Sequence, residues 1–349
     1  MIEQFREQVR AAAASGGKLR IRGGGTKDWY GQRLEGEVLD TRAHVGIVDY
    51  EPTELVITAR CGTSLAEIEN VLAERNQMLA FEPPHFGMAA TLGGAIAAGL
   101  SGPRRANSGA VRDFVLGAKL MDGKGEVLNF GGQVMKNVAG YDVSRLLAGS
   151  LGTLGLLLEV SVKVLPRPFA ETTLRFAMGE NEAIRKLNEW GGQPLPVSGS
   201  CWVDGVLALR LSGARAAVDA AVKSLGGEPM PDADGFWDSL REQRHAFFAG
   251  EEDMALWRLS LPSTTPALEL AGGQLIEWGG AQRWLRADAS LAGELRRAVA
   301  AVGGHATLFR GGDKTVGVFQ PLAPPVARIH ERLQAAFDPA HIFNPGRMY

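Results

Sequence analysis

The sequence predicts an α+β protein of two domains, and three observations carry that prediction. Its 349 residues suit about two domains of ordinary size. In the first half, short apolar strands alternate with glycine-rich loops and occasional helices. After Pro166-Arg-Pro168 the pattern becomes β-α-β-α, which suits one sheet covered by helices.

In chain order, residues 19–21, 38–40, 46–50, 55–60, 114–121 and 154–164 carry the β-branched or alternating apolar residues of strands. Ser64-Leu-Ala-Glu67 is a capping box ahead of Ile68, Val71 and Leu72, so a helix runs over 64–76. Ala90-Thr-Leu-Gly-Gly-Ala-Ile-Ala97 opens a short helix, and Asp142 caps another at 143–147. The two prolines at 166 and 168 end the first domain. Beyond them come a strand at 172–178, a helix at 180–190, a strand at 206–212 and a helix at 214–225. Five of the seven tryptophans fall from Trp202 to Trp284 and read as core or interface aromatics. The tail is rich in turn residues but carries Ile342 and Phe343, so it should dock.

Composition narrows the chemistry. The formal charge of −2 leaves no basic field for nucleic acid. Only Cys61 and Cys201 are present, too few for a four-thiolate zinc or iron–sulfur site, so such a cluster would belong to a partner. The six histidines are never closer than eleven residues apart, and no local pair builds a metal site, so no metal is expected. The first residues lack the apolar core of a secretory signal, which makes a cytoplasmic location the expectation. The most apolar stretch, 146–165, is interrupted by Glu159, Lys163 and glycines, unlike a membrane span. Classical dinucleotide, P-loop, serine-hydrolase and zincin motifs are absent.

Glycine is the outlier, at 45 residues. In Arg22-Gly-Gly-Gly-Thr-Lys27, consecutive glycines let backbone N–H groups curl into an anion nest suited to a pyrophosphate; the alternative is a plain turn. The amides opening the helix after Thr91 would add to the same positive site. Gly149-Ser-Leu-Gly-Thr-Leu-Gly155 offers bare backbone to an adenine or ribose, or is a simple β-turn. With Lys136-Asn-Val-Ala-Gly-Tyr-Asp142, and in this order, these loops resemble the FAD-binding domain of the vanillyl-alcohol oxidase/p-cresol methylhydroxylase (PCMH) superfamily. Through Glu51-Pro-Thr-Glu, Glu82-Pro-Pro-His-Phe86, Gly99-Leu-Ser-Gly-Pro-Arg-Arg105, Val111-Arg-Asp-Phe-Val-Leu-Gly117, Gly303-Gly-His-Ala-Thr307 and Phe343-Asn-Pro-Gly-Arg-Met-Tyr349, nearly the whole chain resembles the FAD-binding subunits of bacterial glycolate oxidases.

The resemblance implies a two-subdomain PCMH-type FAD-binding domain at 1–167, an α+β cap domain at 168–305 and a segment 306–349 returning to the FAD domain. It implies FAD held by Arg22, Gly23, Gly24, Gly25, Thr26 and Lys27, with Thr91, Gly93 and Gly94 completing the pyrophosphate site. Gly149, Gly152, Thr153 and Gly155 would meet the adenosine half, and the Val160 backbone the adenine. Lys136 and Asn137 would border the flavin, unless Lys136 is simply solvated, and His85 would touch it or merely shape its turn. Relatives with covalent flavin place a histidine where this chain has Thr26, so FAD should be noncovalent. His305 is the candidate beneath the substrate face, or else a structural histidine; Arg258 and Arg310 are candidate carboxylate anchors, or else salt-bridged arginines. The relatives' paired-histidine metal motif is reduced here to His305 alone. Glycolate oxidation is therefore expected of an assembly with a homologous catalytic flavoprotein and an iron–sulfur subunit, lying at the inner face of the plasma membrane through those partners. The alternatives are a self-sufficient FAD-dependent 2-hydroxyacid dehydrogenase and a subunit whose flavin is only structural.

Overall fold

A computed structural model describes residues 1–132, 141–250 and 254–349. The chain divides into two units, one made of Met1–Leu100, Ala110–Pro166 and Pro321–Tyr349, the other of Ser101–Gly109 and Arg167–Gln320.

The first unit holds an antiparallel five-stranded sheet in the order Ile47–Glu51, Val56–Arg60, Leu156–Lys163, Val115–Met121, Val127–Gly131. Leu156–Lys163 lies in the middle, and the burial of six of its eight residues, Ser161 included, suits a strand covered on both faces. Strict alternation would send Leu156, Leu158, Val160 and Val162 to one face. A register shift against Lys119 and Leu120 breaks that alternation, so Leu156 and Leu158 join one core while Leu157, Val160 and Val162 join another. Helix Leu65–Glu74 covers the second core with Leu65, Ile68 and Leu72, and Ser64 caps it by accepting from the Glu67 amide at 3.1 Å. The first core also takes Phe5 and Val9 of helix Ile2–Ser15 and the parallel pair Leu19–Arg22 and Glu37–Asp40. Met121 and two residues near the chain's end complete it. Ile342 and Phe343 are fully buried, and Leu19 exchanges backbone hydrogen bonds with Ile342 and Asn344. The buried Asp338 carboxylate accepts from the Phe343 amide at 2.8 Å, which fixes the turn into this segment.

The second unit is an antiparallel eight-stranded sheet, ordered Glu228–Pro229, Ala170–Ala177, Val206–Gly213, Val197–Val203, Gln274–Glu277, Gln282–Ala287, Ala255–Ser260, His305–Arg310. Helices Glu180–Gly191, Arg215–Leu225 and Ala292–Ala301 bury one face of it, around Leu174, Leu207, Leu209, Trp257 and Leu308. Trp237, Trp257 and Trp284 are core residues, as expected.

Two boundaries differ from the sequence reading. Residues 306–320 stay in the second unit, because His305–Arg310 pairs along Ala255–Ser260, and the return to the first unit begins at Pro321. Ser101–Gly109 also belongs to the second unit. There Arg104 pairs with Glu171 at 2.7 Å and the Trp278 indole donates to the Gly102 carbonyl at 3.1 Å. No helix among the described residues is long and apolar enough to cross a membrane.

Candidate functional site

A cavity in the first unit gathers the glycine loops. Its walls include Arg22, Gly23, Gly24, Gly25, Thr26 and Lys27, then Thr91, Gly93 and Gly94, then Gly152 and Gly155. The first loop leaves its strand at Arg22 and runs against residues 89–91 with no room for side chains. A Cβ on Gly24 would stand 1.5 Å from the Ala89 carbonyl oxygen, and Gly25 adopts a left-handed φ of 72°. The turn that results leaves the amides of Gly24, Gly25 and Thr26 without a protein acceptor among the described residues. Successive unspent N–H groups on bare backbone are the chemistry of an anion nest. The residues present therefore fit the diphosphate of a dinucleotide.

The second loop contributes differently from the sequence reading. The amide of Leu92 donates to Thr63, that of Gly93 to Cys61 and that of Gly94 to the Thr91 hydroxyl at 3.2 Å. These donors are spent in closing helix Leu92–Ala98 onto the chain before it, so Gly93 and Gly94 shape the wall with their amides already used, and the Thr91 hydroxyl serves as the helix cap. The buried Cys61 thiol also lines the cavity, and burial raises its pKa, which keeps it an unreactive neutral group.

Charge around the nest is fixed by Asp28. Its carboxylate takes Arg20 at 2.5 Å and Arg22 at 3.0 Å, and of the two Arg22 lines the cavity. Lys27 donates to the His85 carbonyl at 3.2 Å and lies over the Phe86 ring. His85 itself is not in the wall: its imidazole pairs with Glu69 at 3.2 Å, a structural arrangement.

Three other expected contacts fall elsewhere. Gly149 and Thr153 line a neighbouring cleft with Leu154, His330 and Tyr349. Val160 is fully buried mid-sheet, registered with Ala59 on one side and Ala118 on the other, so its backbone has no free edge for an adenine. Lys136 and Asn137 lie outside the described residues. Conversely, the cavity wall includes Thr41, Leu151, Asn344 and Arg347, which the loop motifs did not single out.

In the second unit, Arg258 is registered with Thr307, and so shares a sheet face with His305. Arg258 also lies over the Phe309 ring, 5.4 Å from its centroid. Partial burial, then the Arg258 charge, lower the His305 pKa, which keeps the imidazole neutral at pH 7. Arg310 sits at the other end of the same strand, about 16 Å from His305 at the usual rise, beside Arg286. The three candidates thus do not converge. Among the described residues, no group of three or more His, Cys, Asp or Glu side chains could hold a metal ion.

Comparison with known proteins agrees with this geometry. Residues 1–131 match the family model of the FAD binding domain. The chain is 51% identical over 343 residues to the glycolate oxidase subunit GlcE of Escherichia coli (strain K12), covering 98% of this chain and 96% of that one. It is 35% identical over 126 residues to the glycolate oxidase subunit GlcD of Bacillus subtilis (strain 168), covering 36% of this chain and 27% of the relative. Among solved structures, alkyldihydroxyacetonephosphate synthase superposes with a TM-score of 0.67 at 15% identity, over 98% of this chain and 75% of that one, a likeness of fold. The architecture is the PCMH-type FAD-binding fold joined to a second α+β unit, and the cofactor is FAD. The chain belongs to the family of glycolate oxidase subunits that includes GlcE.

Proposed function

We propose that this chain is the FAD-carrying subunit of an assembly that oxidises glycolate to glyoxylate. The observation that carries the reading is the row of unspent amides at Gly24, Gly25 and Thr26 in the wall of a cavity that Gly93, Gly94, Gly152 and Gly155 also line. Those amides would hold the FAD diphosphate, with Arg22 and Lys27 at its rim and Gly152 and Gly155 giving close approach to the rest of the dinucleotide. Thr26 offers a hydroxyl and no nucleophilic ring nitrogen, so the cofactor is held noncovalently. Bound FAD would supply hydride acceptance. Relatives named as separate subunits of glycolate oxidase support a hetero-oligomer, with a related flavoprotein as the catalytic partner. An iron–sulfur subunit would carry electrons onward, and the assembly would sit in the cytoplasm, at the inner membrane face through its partners.

Within this chain, Arg258 and His305 share one sheet face, with a guanidinium to anchor a carboxylate and a neutral imidazole to take a hydroxyl proton. A second base and Arg310 do not join them, so steady turnover is assigned to the assembly. The test is anaerobic mixing of the purified holoprotein with glycolate. The flavin should stay oxidised, and dye reduction should appear only when the partner subunits are added. Steady turnover by the pure chain, abolished by His305→Ala, would overturn the reading and make the chain a self-sufficient dehydrogenase.

A further inference from the structure

The last residues of the chain reach both glycine loops, and Asn344 meets Ile21, 323 positions earlier, just before the first of them. Asn344 is buried, with a left-handed φ of 42° that asparagine tolerates better than most residues. Its Oδ1 accepts from the Ile21 amide at 2.8 Å, at the strand that feeds the first loop. Its Nδ2 donates to the Leu151 carbonyl at 2.6 Å, inside the loop at 149–155. Gly152 is bare where that amide enters, since a Cβ there would lie 2.6 Å from Nδ2. One side chain therefore fixes the distance between the two loops.

Arg347 does the same for the segment after the nest. Its guanidinium is buried, and it donates to the carbonyls of Lys27 at 3.2 Å, Asp28 at 3.0 Å and Arg33 at 3.3 Å. The backbone adds Gln32 N–H to the Arg347 carbonyl and Arg33 N–H to that of Gly346. Three carbonyls converging on one planar fork leave little freedom to residues 27–33.

We infer that Asn344 and Arg347 are positioning residues of the cofactor site, through which the C-terminal segment sets the spacing of the two glycine loops. The inference rests on the FAD reading above. Arg347 acts through its fork, both terminal nitrogens of which donate to backbone carbonyls.

The experiment titrates apoprotein of the wild type, Asn344→Ala, Arg347→Ala and Arg347→Lys with FAD, and separately with ADP as a probe of the dinucleotide's diphosphate end. Thermal unfolding of each apoprotein is measured alongside. FAD and ADP should both weaken about tenfold or more in all three variants, equivalent to about 1.4 kcal/mol. Lysine should not rescue, since a point charge on a flexible stem cannot span three carbonyls. The lysine variant keeps the charge and much of the volume, which guards against simple loss of fold. Two results overturn the inference: lysine restoring wild-type affinity, or variants that unfold earlier as apoproteins but bind both probes as the wild type does. A wild-type apoprotein that binds neither probe overturns the FAD reading as well, and that result is distinct from the other two.

Discussion

Gly24→Ala isolates the first loop from the rest of the fold. The added Cβ would stand 1.5 Å from the Ala89 carbonyl oxygen and 2.4 Å from its carbon. Non-bonded heavy atoms settle at about 3.5 Å, so one backbone must retreat by about 2 Å. No rotamer offers an escape, because the obstacle is main chain and alanine has no further torsion. Overpacking of this kind costs about 1–3 kcal/mol in stability. The consequence for binding is sharper, since the movement displaces the unspent amides of Gly24, Gly25 and Thr26. Each hydrogen bond to a charged acceptor is worth about 1.5–3 kcal/mol. Losing one weakens FAD by about tenfold to a hundredfold. The assay is the flavin released per chain on acid precipitation, together with FAD titration of the apoprotein. A variant that keeps its flavin and binds FAD within about twofold of wild type would refute the nest.

Gly191→Ala is the matching control: a Cβ there meets nothing within 4 Å, so this last residue of a helix should gain up to about 1 kcal/mol with FAD binding unchanged, measured by urea unfolding and titration. All flavin should leave the acid-precipitated protein as intact FAD; flavin retained in the pellet would contradict a noncovalent site at Thr26. Stability should also fall on mild acidification. His44 and His245 have pKa values lowered chiefly by burial, so the unfolded chain takes up protons first as pH drops through 6.5. Their contribution is whole above that pH and is lost below it. His44→Gln should flatten the change in unfolding midpoint between about pH 7.5 and 5.5, and an unaltered slope would exclude His44 as a source.

What the sequence made legible was local. Gly24 is needed wherever a loop presses on main chain, and Ser64 with Glu67 marks a helix start whatever surrounds it. The Ile342-Phe343 pair promised a docked tail, and the tail is docked. The misplacements are all tertiary. The amides after Thr91 looked like anion donors, but their availability depends on whether the carbonyls of Cys61 and Thr63 already stand before them. The run at 156–163 alternates apolar and polar residues from Leu158 onward, and the slip that divides it between two cores leaves no mark in that spacing. Asn344 and Arg347 carry no local signal of their partners, which lie more than three hundred residues earlier. His305 and Arg310 are near in sequence yet separated in space, because an extended strand spends about 3.3 Å on every residue.

The family match covers residues 1–131, but the structure argues that this piece is not the folding unit. Both Val56–Arg60 and Val115–Met121 pair with Leu156–Lys163, so ending the chain at 131 removes the strand between them. It also withdraws Leu157, Val160, Val162 and Val164 from one core, and Leu156, Leu158, Ile342 and Phe343 from the other. Burial of such side chains is worth about 1.5–3 kcal/mol each, so their loss amounts to about 12 kcal/mol at the least. A typical domain has about 5–15 kcal/mol in all. The fragment 1–131 should therefore show a disordered circular dichroism spectrum and retain no FAD, while residues 1–349 hold it. The nest at Gly24 would still be present in sequence but not in shape, because Leu19 anchors it to Ile342 and Asn344 at the far end of the chain. A folded, flavin-binding 1–131 would show that the central strand and the tail are dispensable.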